Sequence, residues 1–557
     1  MGEPIVSTGM LSDIEVRPGS LDLHGRLRDV AGRLQSTFYL NGSKDALQGE
    51  QVYSASLQDA VAFWNVHLED SRESPSPSVL WSDDLKGSHR RLRRYSFARK
   101  TAWSLDLLLK PIRGLLPCPS PCQRRLLRRS LERAFQDTAR FALIRDMGQP
   151  IDSTVTAAFQ PIRQDLPRLI AAAQFGPGRV SAEDVHRRFR TFDGFNGYFS
   201  RWIPPGAGPL AKALNEPATL KWLYEHIVEV IDVVPEALLS KGVFGKICRS
   251  LLGVIAFKIS HLPKDLPQAR LNEEIFESMQ AGFHFGRTYL FDEIMDLDDF
   301  PAEEKKRFLK AVVDLLSGSP VVDAPVHPAT RLVIESLQAF KPLFGETYVR
   351  SVYNAYLALA ISQIEDGKKS FDAAYSEKEL YTPLMVKSAY TRIVPAVLGR
   401  LPITPEFLAH AYTIALPNQL VDDFRDLTDD LATDTFTPFT YFVRKGSKDK
   451  ELRHPLTIYL KAISLVVRKE HRHPEAQRLW VLQFVRALRV FEFKGGKGAL
   501  QRFFEKYPTG ERDFEKRLVD LVGYSSLVVD VEALLSTLAS ASSMQARGMT
   551  VTEVAGH

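Results

Sequence analysis

Two acidic clusters, Asp292-Glu293-Ile294-Met295-Asp296 and Asp422-Asp423-Phe424-Arg425-Asp426, stand about 130 residues apart in helix-forming sequence. On a helix, positions i and i+4 share a face, so Asp292 with Asp296, and Asp422 with Asp426, each direct two carboxylates the same way. Paired carboxylates repel one another unless a cation lies between them. Hard oxygen donors at this spacing suit Mg²⁺ shared with a phosphate-bearing substrate. Taken singly, each cluster is equally a solvated helix face.

The elements that must position these clusters are helices. From about residue 135 onward the apolar periodicity is helical nearly throughout, and strand-like alternation is scarce. Helix starts are marked at Ser181-Ala182-Glu183-Asp184 and Thr404-Pro405-Glu406, where a capping side chain precedes acid or proline in the first turn. The expected fold class is all-α. Ahead of this region, residues 1–80 form an N-terminal segment ending in the linker-like Glu73-Ser74-Pro75-Ser76-Pro77-Ser78. Residues 81–210 form a basic helical extension, with His89-Arg90-Arg91-Leu92-Arg93-Arg94 and Arg124-Arg125-Leu126-Leu127-Arg128-Arg129. Arginine interleaved with leucine suits peripheral contact with an anionic membrane or an acidic partner, and equally a solvated helix face. Residues 211–538 are the expected catalytic domain, and Ala539 to His557 is a small, polar, unpatterned tail.

Composition limits the alternatives. At 557 residues the chain is long enough for two or more domains, and 45% hydrophobic with 25% charged residues is ordinary for a globular protein. A net charge of +5 does not demand a polyanion, and no nucleic-acid motif is present. Three cysteines, Cys118, Cys122 and Cys248, imply neither a disulfide framework nor a zinc site. The N-terminus has no signal-peptide pattern and no apolar run approaches the ~20 residues of a membrane span, so the cytoplasm is the expected compartment.

Further residues stand in a fixed order around the clusters. Gly245-Lys246-Ile247-Cys248-Arg249 comes first, with Lys246 46 residues ahead of Asp292, and His284 lies 8 residues ahead of it. Downstream follow Gln363 in Ile361-Ser362-Gln363-Ile364-Glu365-Asp366, then Lys387-Ser388, and then Asn418-Gln419-Leu420-Val421 leading into the second cluster. Asp430-Leu431 and Thr437-Pro438 come after it. In this order the chain resembles the trans-polyprenyl diphosphate synthases of the class I isoprenoid synthase superfamily, over about residues 215 to 445.

The resemblance implies an antiparallel helical bundle around an apolar cavity, three Mg²⁺ ions, an allylic prenyl diphosphate substrate and a homodimer. It assigns the metals to Asp292, Glu293, Asp296, Asp422, Asp423 and Asp426. Lys387 and Arg425, with Gln419 beside them, become the catalytic candidates that neutralise the departing diphosphate. Lys246, Arg249 and His284 would hold isopentenyl diphosphate, with Gln363 and Lys387 also on the substrate. Such charges belong where pyrophosphate leaves, and the carbocation left behind needs a dry apolar cavity. Phe283, Phe285, Tyr289, Phe291 and Tyr412 are candidates to line it, or are plain core.

The pattern also departs from the family. Glu293 replaces an aspartate, and the arginine pair expected after Asp296 is absent from Leu297-Asp298-Asp299-Phe300-Pro301-Ala302. Lys305-Lys306-Arg307 either replaces that pair or is a solvated face. Thr435 stands where a lysine is expected. Prenyl transfer to isopentenyl diphosphate therefore has three competitors: a terpene cyclase using the same diphosphate site, a head-to-head synthase of squalene or phytoene type, and a non-catalytic partner subunit.

Overall fold

A computed structural model describes residues 49–69, 189–199, 209–240, 243–263, 266–295, 297, 300–446, 452–469 and 498–510, with single positions at 36, 40, 186–187 and between 484 and 519. These residues are 82% helical and contain no strand, as the periodicity predicts. In chain order the helices are α1 (Gly49–Trp64), α2 (Phe192–Phe199), α3 (Pro209–Leu214), α4 (Pro217–Val233), α5 (Glu236–Ser240), α6 (Val243–His261), α7 (Gln268–Thr288) and α8 (Leu290–Met295). They continue as α9 (Ala302–Ser317), α10 (Pro328–Gly367), α11 (Glu377–Leu398), α12 (Pro405–Ala432), α13 (Pro438–Tyr441), α14 (Pro455–Lys469) and α15 (Ala499–Lys506). No helix among the described residues is long and apolar enough to cross a membrane. The predicted start at Ser181, the linker at 73–78, the basic stretch from Lys86 to Arg133, Cys118, Cys122 and the tail from Ala539 lie outside the described residues.

Local sequence explains the helix boundaries that matter for the site. Thr404 caps α12 by accepting a hydrogen bond from Phe407 N at 3.2 Å, with Pro405 in the first turn, as read from the sequence. Ser376 and Glu379 form a reciprocal capping box at the start of α11. Helix α10 is interrupted at Gly345, whose φ of 74° and ψ of 165° lie outside the range a side chain tolerates. Its second half runs on to Gln363 and Asp366. The connections α10–α11 and α11–α12 are short, so these three helices lie as packed neighbours.

Helices α6 and α7 pack along their length, and glycine makes that possible. A Cβ on Gly282 would stand 2.7 Å from Leu251 Cα, and one on Gly286 would stand 2.6 Å from Ile247 Cα. Position 282 thus meets 251 and position 286 meets 247, which makes the pair antiparallel. Lys246 is thereby brought to the end of α7, next to α8 and the first acidic cluster.

One apolar cluster runs through the bundle and includes Val52, Phe63 and Trp64 from α1. Trp64 stacks on Tyr381 of α11 with ring centroids 5.3 Å apart. Ser56 shares a 2.5 Å hydrogen bond with Tyr390, and Tyr412 donates to the Ser56 carbonyl at 3.1 Å. The Ser56 hydroxyl donates its own proton to the Val52 carbonyl at 2.7 Å, so Tyr390 is the donor to Ser56. Residues 49–69 therefore share the core of the 211–538 region instead of forming part of a separate N-terminal segment. The linker composition at 73–78 does not reveal this, because Tyr381, Tyr390 and Tyr412 lie more than 300 residues from their partners in α1.

Candidate functional site

The first cluster is split between two partners. Asp292 Oδ1 accepts a 2.8 Å hydrogen bond from Gln363 Nε2 of α10. Glu293, a buried residue, pairs instead with Lys246 of α6. The side chain of Arg249 and the whole of Asp296 lie outside the described residues. Lys305 sits against this helix end, its Nζ donating to the carbonyls of Met295 at 2.8 Å and Leu297 at 2.5 Å. The Met295 carbonyl is among those a helix leaves unpaired at its C-terminus, and an ammonium suits it; the Leu297 carbonyl, just past the helix, also accepts from Phe300 N at 3.4 Å. Lys306 and Arg307 are engaged elsewhere, with Glu303 and with Glu304 and Asp323. Of the three basic residues, Lys305 lies at the first cluster and the other two form a separate charged face.

One helical turn beyond Gln363, Asp366 connects the first cluster to the second. Its carboxylate pairs with Lys369 at 3.0 Å and with Lys387 of α11 at 3.4 Å, and its charge acts on Asp423 of α12. The C-terminal end of α10 is thus linked to both clusters, by the Gln363–Asp292 hydrogen bond and, one turn on, by the charge of Asp366 acting on Asp423. Ser388, next to Lys387, ties α11 to α12 by donating to the Ala415 carbonyl at 2.9 Å.

The second cluster crowds carboxylates into the last turns of α12, where the helix dipole disfavours negative charge. Internal cations offset them. Arg425 reaches Asp422 at 2.7 Å and Asp426 at 2.8 Å. Lys494, from the segment before α15, reaches Asp426 and Asp429 at 2.7 Å each. Burial favours neutral Asp426, but Arg425 and Lys494 outweigh it and hold this carboxyl below the usual range. Among the described residues no such cation pairs with Asp423. Burial pushes its pKa up to about 8; the hydrogen bond from Gln419 at 2.9 Å opposes this, while Asp366, Asp422 and Asp430 add to it. Its Oδ2 is buried without a hydrogen-bond partner. Asp430 is raised to about 6, by burial and then by Asp426 and Asp429.

Expected contacts are otherwise distributed as follows. His284 lies in an aromatic cluster, with ring centroids 6.1 Å from Trp222, 5.8 Å from Phe283 and 6.2 Å from Phe340. Burial, helped by Arg287 and His226, lowers its pKa to about 3, so the imidazole is neutral at pH 7. Lys246 and His284 are therefore engaged with different groups. The candidate cavity aromatics also separate: Phe283 faces Trp222, Phe285 faces Tyr289 and Tyr356, Phe291 faces Phe308, and Tyr412 bonds to α1. Phe283, Phe285 and Tyr412 are fully buried core residues.

As donors for Mg²⁺ the residues fit in chemistry. They are hard oxygens, and the buried Oδ2 of Asp423 has no hydrogen-bond partner among the described residues. Among the described residues no three Asp, Glu, His or Cys groups are already gathered into a cage, because Lys246, Gln363, Arg425 and Lys494 hold most of these carboxylates. Residues that sequence reasoning missed are Asp366 as the bridge and Lys494 as the counter-charge. The signal for Lys494 is its place in Lys494-Gly495-Gly496-Lys497-Gly498, a glycine-rich basic turn. No family model, no curated protein and no solved structure matches this chain.

Proposed function

We propose that the chain is a Mg²⁺-dependent class I isoprenoid synthase that ionises an allylic prenyl diphosphate and transfers the prenyl group to isopentenyl diphosphate. The observation that carries this reading is the linkage of both acidic clusters to the end of α10, through Gln363 on Asp292 and through Asp366, which pairs with Lys387 and acts on Asp423. Two carboxylate groups on opposite sides of one basic site suit a diphosphate. Mg²⁺ held by Asp292, Asp422, Asp423 and Asp426, with Asp296, would supply the positive charge on which pyrophosphate departs.

The chain's own residues have definable tasks in that reaction. Lys387 is close enough to exchange Asp366 for a diphosphate oxygen, and Arg425 can exchange its own carboxylates in the same way. Gln419 orients Asp423, and Gln363 orients Asp292. The apolar surroundings contributed by α7, α10 and α12 would keep water from the carbocation. A second reading, cyclisation without isopentenyl diphosphate, is favoured by Lys246 being committed to Glu293 and by a neutral His284 among aromatic rings. These are two of the three groups the transfer reaction needs for its second diphosphate.

Incubation of the protein and Mg²⁺ with geranyl, farnesyl or geranylgeranyl diphosphate, with and without isopentenyl diphosphate, tests both readings. Longer diphosphates are expected from transfer, and hydrocarbons independent of isopentenyl diphosphate would replace that reading with cyclisation. Asp292→Asn and Asp422→Asn should each lower kcat by about 10²-fold or more, as removal of a group that stabilises transition-state charge does. Absence of Mg²⁺-dependent pyrophosphate release from the wild-type protein would leave a non-catalytic partner subunit as the answer.

A further inference from the structure

Lys494 differs from an ordinary surface lysine in how it is held. Its Nζ lies 2.7 Å from Asp426 Oδ1 and 2.7 Å from Asp429 Oδ2, while Asp426 Oδ2 is taken by Arg425 at 2.8 Å. Both oxygens of Asp426 are therefore occupied by the chain's own cations. One turn back on the same helix, the buried Oδ2 of Asp423, a residue only 6% exposed, has no hydrogen-bond partner among the described residues.

The segment that presents Lys494 is built to stay in place. Glu492 accepts from Gly498 N and, at 2.8 Å, from Leu500 N, which caps α15. Arg502 returns from α15 to the Gly495 carbonyl at 3.0 Å. Gly496 and Gly498 have φ of +79° and +78°, and a Cβ on Gly495 would stand 2.7 Å from Ala499 Cβ, so the turn requires glycine at these positions. On the apolar side, Phe491 packs 4.9 Å from Phe424, and Phe503 lies 5.8 Å from the same ring. Phe424 sits between Asp423 and Arg425 in the second cluster. The segment is thus docked on the acidic helix by aromatic packing, independently of the lysine.

We infer that Lys494 is an internal competitor for the divalent cation at the second acidic cluster: its ammonium occupies Asp426 until a metal ion displaces it. The inference rests on the metal-site reading above. An ammonium 2.7 Å from Asp426 Oδ1 repels a divalent cation brought to the same oxygen, so metal binding there competes with the lysine. Because Phe491 and Phe503 keep the segment on Phe424, the displaced ammonium stays beside the cluster, where it can meet a diphosphate oxygen. The device keeps Asp426 and Asp429 paired in the metal-free protein and sets the threshold concentration at which metal loads.

The test is a Mn²⁺ titration of the full-length protein, read from the electron paramagnetic resonance of free Mn²⁺, with no substrate present. Lys494→Met and Lys494→Gln should bind Mn²⁺ about three- to tenfold more tightly than wild type, the range expected for removing one partly exposed ion-pair competitor. Lys494→Arg should restore wild-type affinity. Lys306→Met, which removes the same charge from an exposed pair with Glu303, should leave affinity unchanged. Equal affinities in wild type, Lys494→Met and Lys494→Gln would overturn the inference while leaving the metal site intact. Absence of saturable Mn²⁺ binding in wild type and all variants would remove the metal site itself.

Discussion

Asp423 is the carboxyl of the second cluster whose protonation departs furthest from that of an ordinary aspartate. An aspartate in the unfolded chain ionises near pH ~3.9. In the folded chain burial, against the Gln419 hydrogen bond and with Asp366, Asp422 and Asp430 assisting, pushes Asp423 up to about 8. Between those values the folded state holds a proton that the unfolded state has lost. Stability must therefore fall as pH rises from about 4 to about 8, with a contribution of up to about 1.4 kcal/mol per pH unit from one proton. Urea denaturation between pH 5 and 8 should show this slope reduced in Asp423→Asn, whose side chain does not titrate. Identical slopes in the two proteins would contradict a buried, protonated Asp423. The sequence marks this residue as part of an acidic cluster but is silent on its neutrality, which depends first on burial and then on Asp366 arriving from α10. His284 shows the same limit more sharply. Its spacing from Asp292 suggests a diphosphate contact, whereas Trp222 and Phe340, from two other helices, make its surroundings aromatic.

At the scale of the element, helical periodicity and capping signals were sufficient to read the fold class and the start of α12, because both depend on neighbours within a few residues. Register between helices was not legible, since it depends on which surfaces come close. The α6–α7 contact makes the point: neither Gly282 nor Gly286 carries a local helix signal, yet each permits a backbone approach that a methyl group would block. Gly286→Ala would drive its Cβ into Ile247 Cα and O, backbone atoms that cannot rotate away. Such overpacking costs about 1–3 kcal/mol. The separation of α6 from α7 would also pull Lys246 away from Glu293. Gly253, on α6 with nothing within 4 Å of the added Cβ, is the matched control. Gly253→Ala should leave stability unchanged or raise it by about 0.5–1 kcal/mol through helix propensity. The urea midpoint should fall for Gly286→Ala and hold or rise for Gly253→Ala, and equal shifts would mean that the close approach does not govern this pair.

For the whole molecule, the decisive question is whether α1 is an appendage or part of the bundle. The proline- and serine-rich stretch at 73–78 suggests an appendage, which could be removed without loss. The packing argues otherwise. Removing residues 1–70 would expose the face of Tyr381 that Trp64 covers, and would take the Ser56 partners from the buried hydroxyls of Tyr390 and Tyr412. It would also remove the Leu68 carbonyl that accepts from Arg453 at 3.1 Å and from Lys461 at 2.9 Å. Trp64 alone, 2% exposed, accounts for about 3–5 kcal/mol on truncation to alanine. That is comparable with much of the ~5–15 kcal/mol that holds a typical domain together. Trp64→Ala should therefore lower the urea midpoint substantially while preserving a cooperative transition. Deletion of residues 1–70 should abolish the cooperative transition and the near-ultraviolet circular dichroism of the buried aromatics. A truncated chain that unfolds cooperatively at the wild-type midpoint would show that the 211–538 region is self-sufficient. Because Tyr53 lies within electrostatic reach of Glu365 and Asp366, loss of α1 also alters the surroundings of the α10 end to which both acidic clusters are linked. Helix α1 and the candidate site are thus expected to fail together, and a truncation that kept Mn²⁺ binding without cooperative folding would separate them.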